Sequence, residues 1–150
     1  MRKKIISKNP VDTKKIAEEF ACSLRSGKKQ ATLVCLSGDL GAGKTAFTQS
    51  AAKALGIKKR LSSPTFVIMR RYSLKNKFYK QLFHIDAYRL KNEKEILALG
   101  WEKMLADPEN LIFLEWPENI LKSIPKKHHE IHIEHKGEKT RAFNINRIFT

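Results

Sequence analysis

Two cysteines in 150 residues exclude a disulfide-stapled scaffold. Cys22 falls in a predicted helix and Cys35 in a predicted strand, and both read as small buried apolar residues of a reducing compartment. No apolar run approaches the about 20 residues that a membrane-spanning helix needs, and none of signal-peptide length follows the basic residues 1–10. The expected location is therefore the cytoplasm. Internal repeats, low-complexity segments and linkers are absent too, so one domain over residues 1–150 is expected. Acidic side chains are scarce, 15 against 30 basic ones, for a formal charge of +15. The excess is mostly lysine and is scattered in small groups, such as Arg2 to Lys4, Arg70 with Arg71, and Lys126 with Lys127. Charge speaks to association and not to fold, and leaves two readings open: a solvated lysine-rich surface, or a footprint for nucleic acid or an acidic protein.

Against that background one segment carries specific chemistry. Residues 38–45 read Gly38, Asp39, Leu40, Gly41, Ala42, Gly43, Lys44, Thr45, a full match to G-x-x-x-x-G-K-[ST]. The context is the one the motif requires: residues 31–36 form an apolar, β-branched-rich run that predicts a buried strand, and residues 44–55 predict the helix after it. Glycines at 38, 41 and 43 allow successive amide N–H groups to turn inward around phosphate oxygens. Gly43 leads straight into the helix, whose first-turn N–H groups and dipole add to the field on an anion. Lys44 is placed to neutralise the β and γ phosphates of a nucleoside triphosphate, and Thr45 to ligate Mg²⁺. Ala46 stands where many such loops carry a second hydroxyl, so that side-chain contact to the α phosphate is lost.

Elsewhere the patterning is that of an α/β protein. Residues 11–26 carry Ile16, Phe20 and Leu24 at four-residue spacing, with Asp12 placed to cap the helix and Gly27 to end it. Residues 65–74 and 78–85 read as a hairpin, an antiparallel pair that interrupts pure βαβ alternation. Residues 92–101 have helical spacing, 111–114 form a buried strand, and Pro117 opens a short helix ending before Pro125. Residues 130–135 and 140–148 read as a second hairpin.

Three further groups invite a role at the loop. Residues 111–115, Leu-Ile-Phe-Leu-Glu, form an apolar strand ending in a carboxylate, the form of a Walker B element. In such folds that carboxylate sits at the nucleotide crevice, where it holds Mg²⁺ through water or orients the attacking water. Asp86, also at a strand end, competes with Glu115 for the metal role, and alternation puts His84 on the same face as Asp86. Thr65, after Ser63 and the φ-locking Pro64, suits a loop that senses the γ phosphate. His128, His129, His132 and His135 do not make a metal site, because strand alternation points His132 and His135 to opposite faces. Trp101 and Trp116 read equally as core or as exposed contact residues, Trp116 lying immediately after Glu115.

Taken in order, residues 38–45, Ser63-Pro64-Thr65-Phe66, His84-x-Asp86-x-Tyr88-Arg89-Leu90 and Glu115-Trp116-Pro117-Glu118 resemble the TsaE (YjeE) family over roughly residues 10–125. The resemblance implies a P-loop NTPase-like three-layer sandwich with a mixed sheet including antiparallel hairpins. It also implies a Mg²⁺-dependent ATPase that assists a complex of TsaB and TsaD in threonylcarbamoylation of adenosine 37 of tRNA, the transfer chemistry belonging to TsaD. No base-specificity motif is recognisable, so ATP over GTP comes from the resemblance alone. It further implies Thr45 and Asp86 near the metal, Glu115 organising water or metal, Trp116 as a functional neighbour, and Thr13 near the adenine. Contact with tRNA is left open as direct or indirect, and neither DNA nor membrane is expected as a partner. Two other classes stay in view: a nucleotide-gated binding module without catalysis, and a P-loop small-molecule kinase, against which stands the lack of an arginine-rich lid.

Overall fold

The computed structural model describes residues 2–64 and 67–147. Seven strands, β1 (Arg2–Ser7), β2 (Thr32–Ser37), β3 (Met69–Ser73), β4 (Gln81–Asp86), β5 (Asn110–Glu115), β6 (His129–His135) and β7 (Arg141–Asn146), form one sheet in the order β1-β7-β6-β2-β5-β4-β3. The central four, β6, β2, β5 and β4, run parallel, and antiparallel pairs close both sides, β3 on β4 and β1-β7-β6. Both expected hairpins are therefore present, with β3, β4 and β7 shorter than the expected runs and β6 one residue longer. Strand β1 was not foreseen. Its alternation is masked by three basic residues in six, and it forms because β7 offers an edge to pair with.

Strands β2 and β5 are nearly continuous apolar runs because both their faces are covered. Val34, Leu36, Leu111 and Phe113 pack under helices α1 (Pro10–Ser23) and α2 (Lys44–Ala54). Leu33, Cys35, Ile112 and Leu114 face the other way, against Ile96, Trp101, Met104 and Ile120. These last four come from α3 (Glu93–Leu97), α4 (Trp101–Ala106) and a 3₁₀ helix, Pro117–Ser123. The result is a three-layer mixed α/β arrangement, in which strand alternation sends neighbouring residues to different cores.

Local chemistry corrects several boundaries. Helix α1 is capped by Asn9 and not by Asp12: the Asn9 side-chain Oδ1 accepts from Asp12 N–H at 2.9 Å, and Pro10 supplies a pre-set φ at the first helical position. Asp12 accepts instead from Lys8 N–H at 3.0 Å. The helix ends at Ser23, where Leu24 turns extended to keep its side chain in the core, so Gly27 is not the stop. The helical spacing of residues 92–101 resolves into two short helices, because Gly100 takes a φ of +84° and opens α4. Cys35 is buried as expected, and burial pushes its thiol far up, but Cys22 is exposed. Helix α1 buries Ile16, Ala17, Phe20 and Ala21, and Cys22 lies off that stripe. Trp101 belongs to the core, its indole N–H donating to Ser123 O at 2.8 Å. No helix among the described residues is long and apolar enough to cross a membrane.

Candidate functional site

The loop between β2 and α2 takes its shape from glycine. Gly38, Gly41 and Gly43 have φ of +141°, +77° and +112°, values in which a side chain is strained. Gly43 is also the N-cap of α2 and offers no side chain to its first-turn N–H groups, which have no acceptor within the helix either. Those donors and the positive end of the helix dipole face the same place. Asp39 and Leu40 are exposed, while Ala42 is buried beneath the loop and Ala46 is exposed on α2. The loop is held from a second direction: Arg141, at the start of β7, donates from Nε to Ala42 O at 3.2 Å. No motif in the sequence announces Arg141, because the contact joins residues 99 apart and exists only through the strand order.

Lys44 is 5 % exposed. Its ammonium donates to Gly38 O at 2.5 Å and Asp39 O at 3.0 Å, and the Trp116 ring centroid lies 4.2 Å from Nζ. Burial lowers its pKa from the ordinary lysine value, opposed by the negative field of Glu115, Glu118, Asp86 and Asp39. Trp116 itself takes a φ of +59°, uncommon for a residue with a side chain, and packs on Tyr88 with ring centroids 5.0 Å apart. Of the two tryptophans, Trp116 is thus the one at the site.

The carboxylates arrive by sheet register. Parallel pairing of β4 and β5 sets Asp86 beside Glu115 and His84 beside Phe113, and alternation turns His84, Asp86 and Glu115 to the α2 side. Asp86 and Glu115 are 5 % and 3 % exposed. The Thr45 hydroxyl lies 3.0 Å from each Glu115 oxygen. His84 Nε2 lies 2.6 Å from Glu115 Oε2. Asp86 Oδ1 accepts from Tyr88 N–H at 2.9 Å, so the chain turning out of β4 is bound to its own carboxylate. Asn119 fastens that turn to the 3₁₀ helix by donating to Ala87 O at 2.8 Å.

These groups surround a cavity of about 260 Å³ lined by Leu40, Gly41, Gly43, Lys44, Thr45, Ala46, Asp86, Tyr88, Glu115 and Trp116. A larger hollow of about 820 Å³ spreads across β1, β7 and β6 but has no phosphate cradle. Of the residues singled out in the sequence, the loop, Asp86, Glu115 and Trp116 are brought together. Thr13 is not among the lining residues, and its hydroxyl is 2.6 Å from Ser7 Oγ. Thr65 lies outside the described residues. The four C-terminal histidines do not converge: His129 packs edge-on against Phe20, while His132 accepts from or donates to Ser37 at 2.8 Å on the opposite face. Among the described residues no group of three or more His, Cys, Asp or Glu side chains could hold a metal. Two carboxylates and one hydroxyl are a partial donor set, of the kind that suits Mg²⁺ held mainly by phosphate oxygens and water.

With this geometry in place, comparison with known proteins is direct. The family model described as Threonylcarbamoyl adenosine biosynthesis protein TsaE matches residues 7–143. The tRNA threonylcarbamoyladenosine biosynthesis protein TsaE of Bacillus subtilis (strain 168) is 34% identical over 140 residues, 93% of this chain and 82% of that protein. Its Rickettsia felis counterpart is 37% identical over 142 residues, 94% of this chain and 78% of that one. The crystal structure of Bacillus subtilis YdiB aligns with a TM-score of 0.77 at 28% identity, covering 99% of this chain and 87% of that chain. That structure shares the seven-stranded mixed α/β architecture, a P-loop NTPase-like fold. Fold, site motifs and sequence similarity over nearly the whole length agree: the chain belongs to the TsaE family.

Proposed function

We propose that this protein binds ATP with Mg²⁺ in the cavity around residues 38–45 and hydrolyses it in support of tRNA threonylcarbamoyladenosine formation. The observation that carries the reading is the Thr45 hydroxyl placed 3.0 Å from both oxygens of Glu115, next to a glycine-built anion cradle. A hydroxyl that gives its proton to a carboxylate keeps its oxygen lone pairs for a cation, as the fold's metal site requires. Thr45 and Asp86 would hold Mg²⁺, which when bound offsets the charge on the phosphates and polarises them. Glu115 then serves to orient the attacking water. Lys44 leaves the carbonyls of Gly38 and Asp39 for the β and γ phosphates, and the first-turn N–H groups of α2 bind the phosphate chain. Thr65 is assigned to sensing the γ phosphate and Thr13 to the adenine side, both from the family resemblance. The productive partners are a TsaB–TsaD complex, with tRNA reached through it.

The test is ATP turnover with and without TsaB and TsaD. Turnover is expected to be low for the chain alone, to rise with the partners, and to vanish in Lys44→Ala and Glu115→Gln. Turnover unaffected by Lys44→Ala would remove the proposal. A Glu115→Gln protein that binds ATP without hydrolysing it and still sustains repeated rounds of tRNA modification would favour the nucleotide-gated module instead.

A further inference from the structure

His84 is fully buried, 0 % exposed, yet it is an imidazole with a single partner in view. Its Nε2 lies 2.6 Å from Glu115 Oε2, and its Nδ1 is buried without a hydrogen-bond partner. A carboxylate only accepts, so Nε2 carries the hydrogen between them, and Nδ1 is left buried with its hydrogen-bonding capacity unused. A buried polar atom left unsatisfied is destabilising, and an apolar side chain on this face of β4 would pack without that cost. The register explains the geometry: Asp86 sits beside Glu115, and His84, two residues back on the same face, reaches Glu115 from behind. His84 does not line the cavity, whereas Glu115 does.

We infer that His84 is a positioning residue for Glu115. It anchors at Oε2 a carboxylate whose two oxygens both lie within reach of the Thr45 hydroxyl, and its donated hydrogen bond sets the direction in which the carboxylate faces the cavity. Thr45 is shared with the metal in the proposed function, so its hold on Glu115 changes with occupancy. The hold of His84 does not, because nothing in the cavity reaches it. This inference rests on the proposed role of Glu115 in orienting water, and the experiment separates the two.

Four variants are compared: Glu115→Gln, His84→Leu, His84→Gln and His84→Asn. Single-turnover ATP hydrolysis, affinity for a non-hydrolysable ATP analogue, and thermal melting are measured on each. Losing one charge-assisted hydrogen bond to the water-orienting group should slow hydrolysis about 10- to 100-fold in His84→Leu. Analogue affinity should stay within about twofold, since His84 touches no phosphate. Gln carries an N–H at the reach of Nε2 and should restore most of the rate, while the shorter Asn should not. Wild-type hydrolysis in His84→Leu with an inactive Glu115→Gln overturns the inference. Should His84→Leu fail to fold, equal rates in the Gln and Asn variants overturn it. Normal hydrolysis by Glu115→Gln defeats the functional proposal itself.

Discussion

Gly38 offers the sharpest test of how the phosphate loop is held. The residue is buried, its φ is +141°, and a Cβ built on it would fall well under 3.0 Å from the carbonyl oxygen of Ile133 in β6. Gly41 provides a control in the same loop. Its φ is +77°, but a Cβ there meets nothing within 4 Å. Both alanine variants suffer positive-φ strain of about 1–2 kcal/mol. Gly38→Ala must in addition displace backbone, since β6 is paired to β2 on one side and β7 on the other and cannot yield cheaply. Overpacking of this kind costs about 1–3 kcal/mol, which brings the expected total to about 2–5 kcal/mol. For a chain of this size that lowers the melting temperature by roughly 4–20 °C, against roughly 2–8 °C for Gly41→Ala. The assay is thermal unfolding by circular dichroism, with and without nucleotide. Because Gly38 O is an acceptor for Lys44, Gly38→Ala should also blunt the stabilisation by ligand, which for a site at about 100 times its Kd is about 2.7 kcal/mol. Equal melting temperatures for the two variants would refute the claim that the loop is pressed against β6.

Two further outcomes follow from groups outside the site. His129, lowered to about 4 by burial and then by the charges of Arg147 and His128, is neutral when folded at pH values where the unfolded chain already takes up a proton. Its contribution is therefore complete above about pH 6.5 and is lost as pH falls toward 4, by up to about 3 kcal/mol. Stability measured between pH 7 and pH 4.5 should fall less steeply in His129→Gln, and an unchanged slope would contradict this. Cys22 is exposed and Cys35 buried with its thiol pushed up, so a thiol reagent should label one cysteine quickly in the native protein and the second only on unfolding. Two fast thiols would show that the β2 environment is not closed.

Much of the site was legible because its chemistry is local. A phosphate cradle needs glycines at fixed spacing beside a helix start, and that spacing is written in eight consecutive residues. The carboxylate at the end of a buried strand could be recognised for a similar reason, since a four-residue apolar run leaves few places for Glu115 to go. Helix bounds were less secure. Asn9 outcompeted Asp12 for the cap through a hydrogen bond three residues long, and Gly100 broke a helical pattern whose periodicity alone gave no hint of a stop.

What lay beyond reach were pairings across the sheet. Whether Asp86 or Glu115 engages Thr45 depends on how β4 and β5 are registered against α2, and one residue of slip would reverse the faces. The contacts of His84 with Glu115, of Arg141 with Ala42 and of Trp116 with Lys44 join residues 31, 99 and 72 positions apart, and no periodicity encodes them. Primary structure thus settles which backbone shapes and charges are available to hold a triphosphate, because those are properties of neighbours along the chain. Which carboxylate the Thr45 hydroxyl meets, what braces it from behind, and which strand supports the loop are settled by strand order and register, because only folding brings those groups within bonding distance.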